Sequence, residues 1–129
     1  MSRITKPPVF FIPFNTPSSK NNKQWTGKFL VWSKLAQKYR KDTKKYWIEQ
    51  KEAFCTECNF HHCYPYEISF KFVRNSHRRF DYVNPLQTVL DLMVEHGWLL
   101  DDNADIVIPV FLPYAYDKEN PGVYITILD

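Results

Sequence analysis

Residues 77–103 read HRRFDYVNPLQTVLDLMVEHGWLLDDN, and this stretch limits what the rest of the chain can fold into. Leu86, Val89, Leu90, Met93 and Val94 recur at helical spacing. Asn84 is an N-cap candidate, Pro85 suits the first helical position, and Gly97 suits the position just past the helix end. The helix so bounded is about 12 residues, or ~18 Å long. Before it, YEISFKFV (66–73) alternates, with Ile68, Phe70 and Phe72 on one face, and reads as a strand. After it, ADIVIPVFL (104–112) reads as another. A strand–helix–strand order lets the two strands be neighbours in one sheet, which brings the flanks of the helix together.

The remaining elements follow the same logic. PPVFFIPF (7–14) reads as an edge strand, because proline within a run excludes a central one. Residues 15–28 have the composition of a polar loop. A helical pattern runs from about Val31 to Phe54, with Ser33 as a candidate cap and Trp32, Leu35, Ala36, Tyr39, Tyr46 and Gln50 on one stripe. Residues 55–66 read as a loop, and GVYITIL (122–128) as a last strand. The expected architecture is a single α+β domain over 1–129, a small mixed β-sheet with two main helices packed on one face.

A hydrophobic fraction of 44%, of which much is aromatic, argues against disorder. No apolar run is long enough to span a membrane, and the N-terminus lacks a cleavable leader pattern. Three cysteines, two of them close neighbours, argue against a disulfide framework and for a reducing cytoplasm. The net charge of +3 conceals an asymmetry. Residues 1–80 hold 16 Lys and Arg against 5 Asp and Glu, a formal +11, whereas residues 81–129 hold 1 against 9, a formal −8. Such a basic half suits a polyanion, and the clustered acids suit a cation.

Asp81 precedes the second helix, and Asp101 and Asp102 follow it. If the strands are neighbours, these oxygen donors suit Mg²⁺ or Mn²⁺ rather than zinc. A cation held by carboxylates beside a basic surface matches phosphodiester hydrolysis. Asp81, Asp101 and Asp102 are then the catalytic candidates. Asp81 and Asp102 are the metal candidates, and Asp91 and Gln87 on the helix's polar face are supporting residues. Each aspartate taken alone also fits plain turn or solvent-face chemistry. Lys20, Asn21, Lys23, Lys41, Lys45, Arg74, Arg78 and Arg79 form the candidate phosphate-contacting surface, and such contacts bind backbones without reading sequence. Trp25, Phe29 and Trp32 are candidate apolar wedges between base steps, with a core role weighed more heavily for Trp32. CTECNFHHC (55–63) offers a zinc site through Cys55, Cys58, His61 and Cys63, although nine residues is tight for four ligands.

The same stretch resembles the RusA-like Holliday-junction resolvases. Arg78, Arg79, Asp81, Asn84, Asp91, Gly97, Trp98, Asp101 and Asp102 stand where the family's motif has its counterparts, with Phe80 between the arginines and the first aspartate. PSSKNNK (17–23) is similar to the family's segment after the first strand. The resemblance covers most of the chain. It implies a small α+β homodimer, frequently phage- or prophage-borne, that binds four-way DNA junctions and cuts them with Mg²⁺. Two of the family's three metal-binding aspartates carry over, as Asp81 and Asp102. Val83 stands at the third, and Gln87 stands where the family has a lysine, so the resemblance leaves Asp101, Asp105 and the amide oxygen of Asn84 as candidates for the third ligand. Two functional expectations follow: a metal-dependent junction endonuclease in DNA recombination or repair, or a branched-DNA-binding protein with weakened or lost cleavage.

Overall fold

The computed structural model describes residues 7–19, 23–25, 27, 30–61 and 63–128. In chain order the elements are β1 (Phe10–Pro13), β2 (Lys23–Trp25), β3 (Leu30–Trp32), α1 (Lys34–His61), β4 (Tyr66–Arg74), α2 (Val83–Glu95), β5 (Val107–Phe111), β6 (Ala115–Tyr116) and β7 (Gly122–Ile127). A five-stranded mixed sheet has the order β1-β7-β4-β5, and β6 also pairs with β4. β1 and β4 run antiparallel to β7, while β5 and β6 run parallel to β4. The expected α+β class, with a mixed sheet and two helices, is therefore what the chain adopts.

The period-2 pattern of β4 decides which face is covered. Ile68, Phe70 and Phe72 are fully buried, as are Val123, Ile125 and Ile127 of β7. They join Trp47 and Phe54 of α1 and Val89, Leu92 and Met93 of α2 in one core. Trp98 plugs its centre, stacked on Phe54 at 4.5 Å and set edge-on to Trp47 and Phe10. Its indole Nε1 donates to the Trp47 carbonyl at 2.9 Å, so the ring is anchored as well as packed.

Helix α1 differs from the sequence expectation at both ends. Ser33 is the cap, its Oγ accepting the Ala36 N–H at 3.1 Å, so the helix starts at Lys34. It then runs on to His61, and Cys55 and Cys58 lie on its last turns rather than in a loop. The buried stripe explains the extension: Ala36, Tyr39, Thr43, Trp47, Phe54 and Cys58 recur at three- and four-residue intervals or their sum. Leu35, expected on that stripe, is 61% exposed. The polar segment 15–28 is not all loop, since β2 and β3 form an antiparallel hairpin around Gly27 at φ +95°.

Helix α2 begins one residue before Asn84. Tyr82 precedes it with helical dihedrals and no side-chain cap, and Asn84 sits inside the first turn, its N–H donating to the Asp81 carbonyl at 3.1 Å. Pro85 is tolerated there because the first four N–H groups of a helix have no intrahelical acceptor. The far end follows expectation. Gly97 takes φ +78°, its N–H donates to Val94 and the Trp98 N–H to Met93, which is a Schellman closure.

Both outer strands of the main sheet carry a proline, Pro13 in β1 and Pro109 in β5. Leu112 N–H donates to the Phe70 carbonyl, so by alternation the backbone of residue 109 faces away from β4. On the opposite edge, the outward Phe11 carbonyl accepts the Gln50 amide of α1 at 3.0 Å.

Candidate functional site

The site is built on the β4–α2–β5 unit. The chain leaves β4 at Arg74 and passes through residues 75–82 into α2. After Gly97 it turns back along the helix, with Trp98 and Leu99 buried and Leu100 75% exposed. This return carries Asp102 to the polar face of α2. There the Gln87 amide Nε2 donates to Asp102 Oδ2 at 3.1 Å and to Asp91 Oδ1 at 3.0 Å. An amide nitrogen has two N–H groups, and both are used.

The residue the structure ties to Asp102 is thus Asp91, through Gln87. Asp91 and Gln87 were expected only as supporting residues; their i, i+4 spacing is the signal for the contact. Gln87 is four residues into α2, an axial rise of about 6 Å from Val83. Asp81 lies beyond that turn, exposed, in the connector. Asn84, half-buried, shares the first turn with Val83, which is 63% exposed. Asp101 serves the turn itself, Oδ1 accepting the Asp102 N–H at 2.7 Å and Oδ2 the Asn103 amide at 3.2 Å. The Asn103 side chain in turn accepts the Asp105 N–H, so this segment uses ordinary Asx-turn chemistry. Among the described residues, no three His, Cys, Asp or Glu side chains converge to hold a metal ion. The groups that adjoin one another are the Asp91 and Asp102 carboxylates, both oxygen donors of the kind a hard cation takes, with the N–H2 group of Gln87 between them.

A concave basic surface adjoins Asp81 on the other side. Asn15, Pro17, Ser18, Ser19, Leu35, Arg74, Asn75, Ser76, Arg78 and Arg79 line a cavity of about 570 Å³. Arg74 is its anchor rather than a surface contact, being 5% exposed. Its guanidinium donates to the Thr16 carbonyl and to Ser18 Oγ, both at 3.0 Å, and lies 4.4 Å from the Phe80 ring centre. Burial disfavours its charged form, and the hydrogen bonds and the ring offset that cost. Its Nε is buried with no partner among the described residues. Phe80, the residue interposed between Arg79 and Asp81, packs edge-on to both Tyr82 and Tyr114. It fixes the connector so that Arg78 and Arg79 remain exposed.

Of the other expected phosphate contacts, Lys41 and Lys45 are exposed on α1. Lys23 lies in β2; Lys20 and Asn21, like the candidate wedge Phe29, fall outside the described residues. Trp32 is half-buried against the core. The cysteines do not meet as expected of a loop. Cys58 is buried and its thiol is pushed up to about 12, first by burial and then by the neighbouring Cys55 and Glu57. Cys55 faces the Gly97 carbonyl at 3.6 Å, and Cys63 is exposed. The His61 side chain lies outside the described residues.

No helix among the described residues is long and apolar enough to cross a membrane. The fold and site together define a small α+β domain with two carboxylates joined by Gln87 on α2 and a basic groove lined by Arg74, Arg78 and Arg79. A scan against protein-family models and a search of curated proteins return no match to this chain.

Proposed function

We propose that this protein binds branched DNA, four-way junctions above all, and hydrolyses their phosphodiesters with Mg²⁺ or Mn²⁺. One observation carries the reading: the return after Gly97 delivers Asp102 to Gln87 and Asp91 on the polar face of α2, in the same β4–α2–β5 unit whose connector carries Asp81, Arg78 and Arg79. Asp81 and Asp102 would hold the cation with Asn84, and Asp91 would join through its link to Gln87. Bound there, the cation supplies charge stabilisation at a phosphate oxygen and a more acidic attacking water. Arg78 and Arg79 seat the backbone phosphate, and Lys41 and Lys45 extend the contact along α1. A homodimer matches the paired, symmetry-related strands of a junction, and twofold pairing is the commonest oligomer.

A second reading is favoured by a specific contact. Gln87 spends both N–H groups on the carboxylates and brings no charge, whereas the lysine of the resembled family would neutralise one of them. A protein with that substitution holds junctions without cutting them. Incubating a synthetic four-way junction with the protein, with and without Mg²⁺ or Mn²⁺, separates the two. Symmetric cation-dependent nicks support the nuclease, and intact junctions in stable complexes support the binder. In either case log affinity is expected to fall steeply with log salt, because each neutralised phosphate releases counterions. Equal affinity for duplex and junction at matched salt would count against both.

A further inference from the structure

A second cavity, of similar size, lies elsewhere. Val31, Trp32, Gln37, Arg40, Lys41, Lys44, Glu95 and His96 enclose about 630 Å³ between the β2–β3 hairpin, the first half of α1 and the C-terminal end of α2. Its α1 wall is one helical stripe, since Gln37, Arg40, Lys41 and Lys44 follow i, i+3, i+4, i+7 spacing. Arg40 is fixed on two sides. Its Nε donates to Glu95 Oε2 at 3.0 Å, its second nitrogen pairs with Glu95 Oε1, and its guanidinium lies 5.7 Å from the Trp32 ring centre. The bidentate pair neutralises Glu95, so the surplus charge of the lining comes from Lys41 and Lys44. Gln37 holds the hairpin onto α1 by donating to the Trp32 carbonyl at 2.7 Å. The floor is His96, whose ring is stacked on Trp47 and whose Nε2 is buried without a hydrogen-bond partner among the described residues. Burial disfavours its charged form; Glu95 opposes this, while Lys44 and Arg40 reinforce it. The floor is therefore a neutral, flat, polar-edged ring under a cationic rim.

We infer that this cleft binds a nucleotide, its base stacked on the Arg40–Trp32 pair and its phosphate held by Lys41 and Lys44. Planar stacking on an arginine pinned over an aromatic ring is sequence-tolerant, because every base has a π-face. The paired Glu95 fixes Arg40 before the ligand arrives, which lowers the ordering cost of binding. The same chemistry has two sources, a free mononucleotide or one unpaired nucleotide of a DNA strand. The inference uses neither the carboxylates nor junction cleavage; it shares Lys41 with the proposed DNA contact along α1, whereas Trp32, Arg40 and Lys44 belong to this cleft alone, so loss of nucleotide binding on changing Trp32 or Arg40 tests it separately.

The test is titration of the full chain with adenosine monophosphate, with inorganic phosphate, with adenosine, and with a short single-stranded oligonucleotide, followed by calorimetry. Adenosine monophosphate is expected to bind saturably and more tightly than phosphate or adenosine. Lys41→Gln with Lys44→Gln is expected to weaken it at least tenfold. Trp32→Leu is expected to weaken adenosine monophosphate while leaving the weak phosphate binding in place. Should Trp32→Leu fail to fold, Arg40→Gln provides the same contrast from the exposed side. An oligonucleotide that binds at least tenfold more tightly than the mononucleotide assigns the site to a strand; comparable affinities assign it to the free ligand. The inference is overturned if adenosine monophosphate binds no better than inorganic phosphate, or if the lysine and stacking variants leave its affinity unchanged.

Discussion

Asp102→Asn is expected to remove junction cleavage, by on the order of a thousandfold, while junction binding stays the same or tightens slightly. The rate loss corresponds to about 4 kcal/mol of charge stabilisation, within what a bound divalent cation supplies. The sign of the binding change follows from removing a negative charge near phosphates. Cleavage and gel-shift measurements on one synthetic junction read both. The opposite substitution sharpens the test. Val83 is 63% exposed at the start of α2, whose first turn has no acidic residue, so Val83→Asp meets no packing penalty and complements the helix dipole. Combined with Gln87→Lys, it is expected to raise the cleavage rate. An Asp102→Asn protein that cuts as fast as the parent would place the metal elsewhere. A parent that never cuts, and is not rescued by the double substitution, leaves the binding-only reading.

Trp98→Ala is expected to destabilise the fold by about 4 kcal/mol, near the upper range for truncating a buried aromatic. The indole touches Phe10, Trp47 and Phe54, so it joins β1 and α1 to the end of α2. Truncation also removes the Nε1 hydrogen bond to the Trp47 carbonyl, worth about 0.5–1.5 kcal/mol because that mid-helix carbonyl keeps its intrahelical donor. Trp98→Phe keeps most of the volume and loses only the hydrogen bond, so it should cost roughly a third to a half as much. Urea midpoints at constant slope give the comparison. Equal stability of the alanine and phenylalanine variants would mean that the hydrogen bond, not packing, dominates.

What could be read from the residues alone divides along physical lines. Period-2 alternation in 66–73 and helix punctuation around Leu86–Gly97 are local, and both elements appear where expected. The α1 boundary was not legible. Cysteine, asparagine and histidine at 55–62 suggest a loop, whereas tertiary burial of Phe54 and Cys58 keeps the helix going. The same override moves Trp47 into the core and leaves Leu35 outside it. For the site, adjacency of the β4 and β5 flanks was implied by strand–helix–strand order. The contact between Gln87 and Asp102 spans fifteen residues and depends on how tightly the chain doubles back after Gly97, which no local pattern states. Arg74 shows the limit of charge counting: an arginine within a basic run is spent inside the molecule, holding the segment that carries Thr16 and Ser18.

The prolines at the two sheet edges have a further consequence for self-association. Pro13 and Pro109 each remove a donor from an outward-facing rim, and Gln50 occupies the Phe11 acceptor beside the first. Neither rim offers an unbroken ladder to an incoming strand. Lengthening of the main sheet by a second copy of this chain is therefore disfavoured at both rims, and so is linear stacking of copies through it into fibrils. Pairing of copies is expected instead through side chains, where contact chemistry rather than the backbone ladder of this sheet sets the partner and the angle.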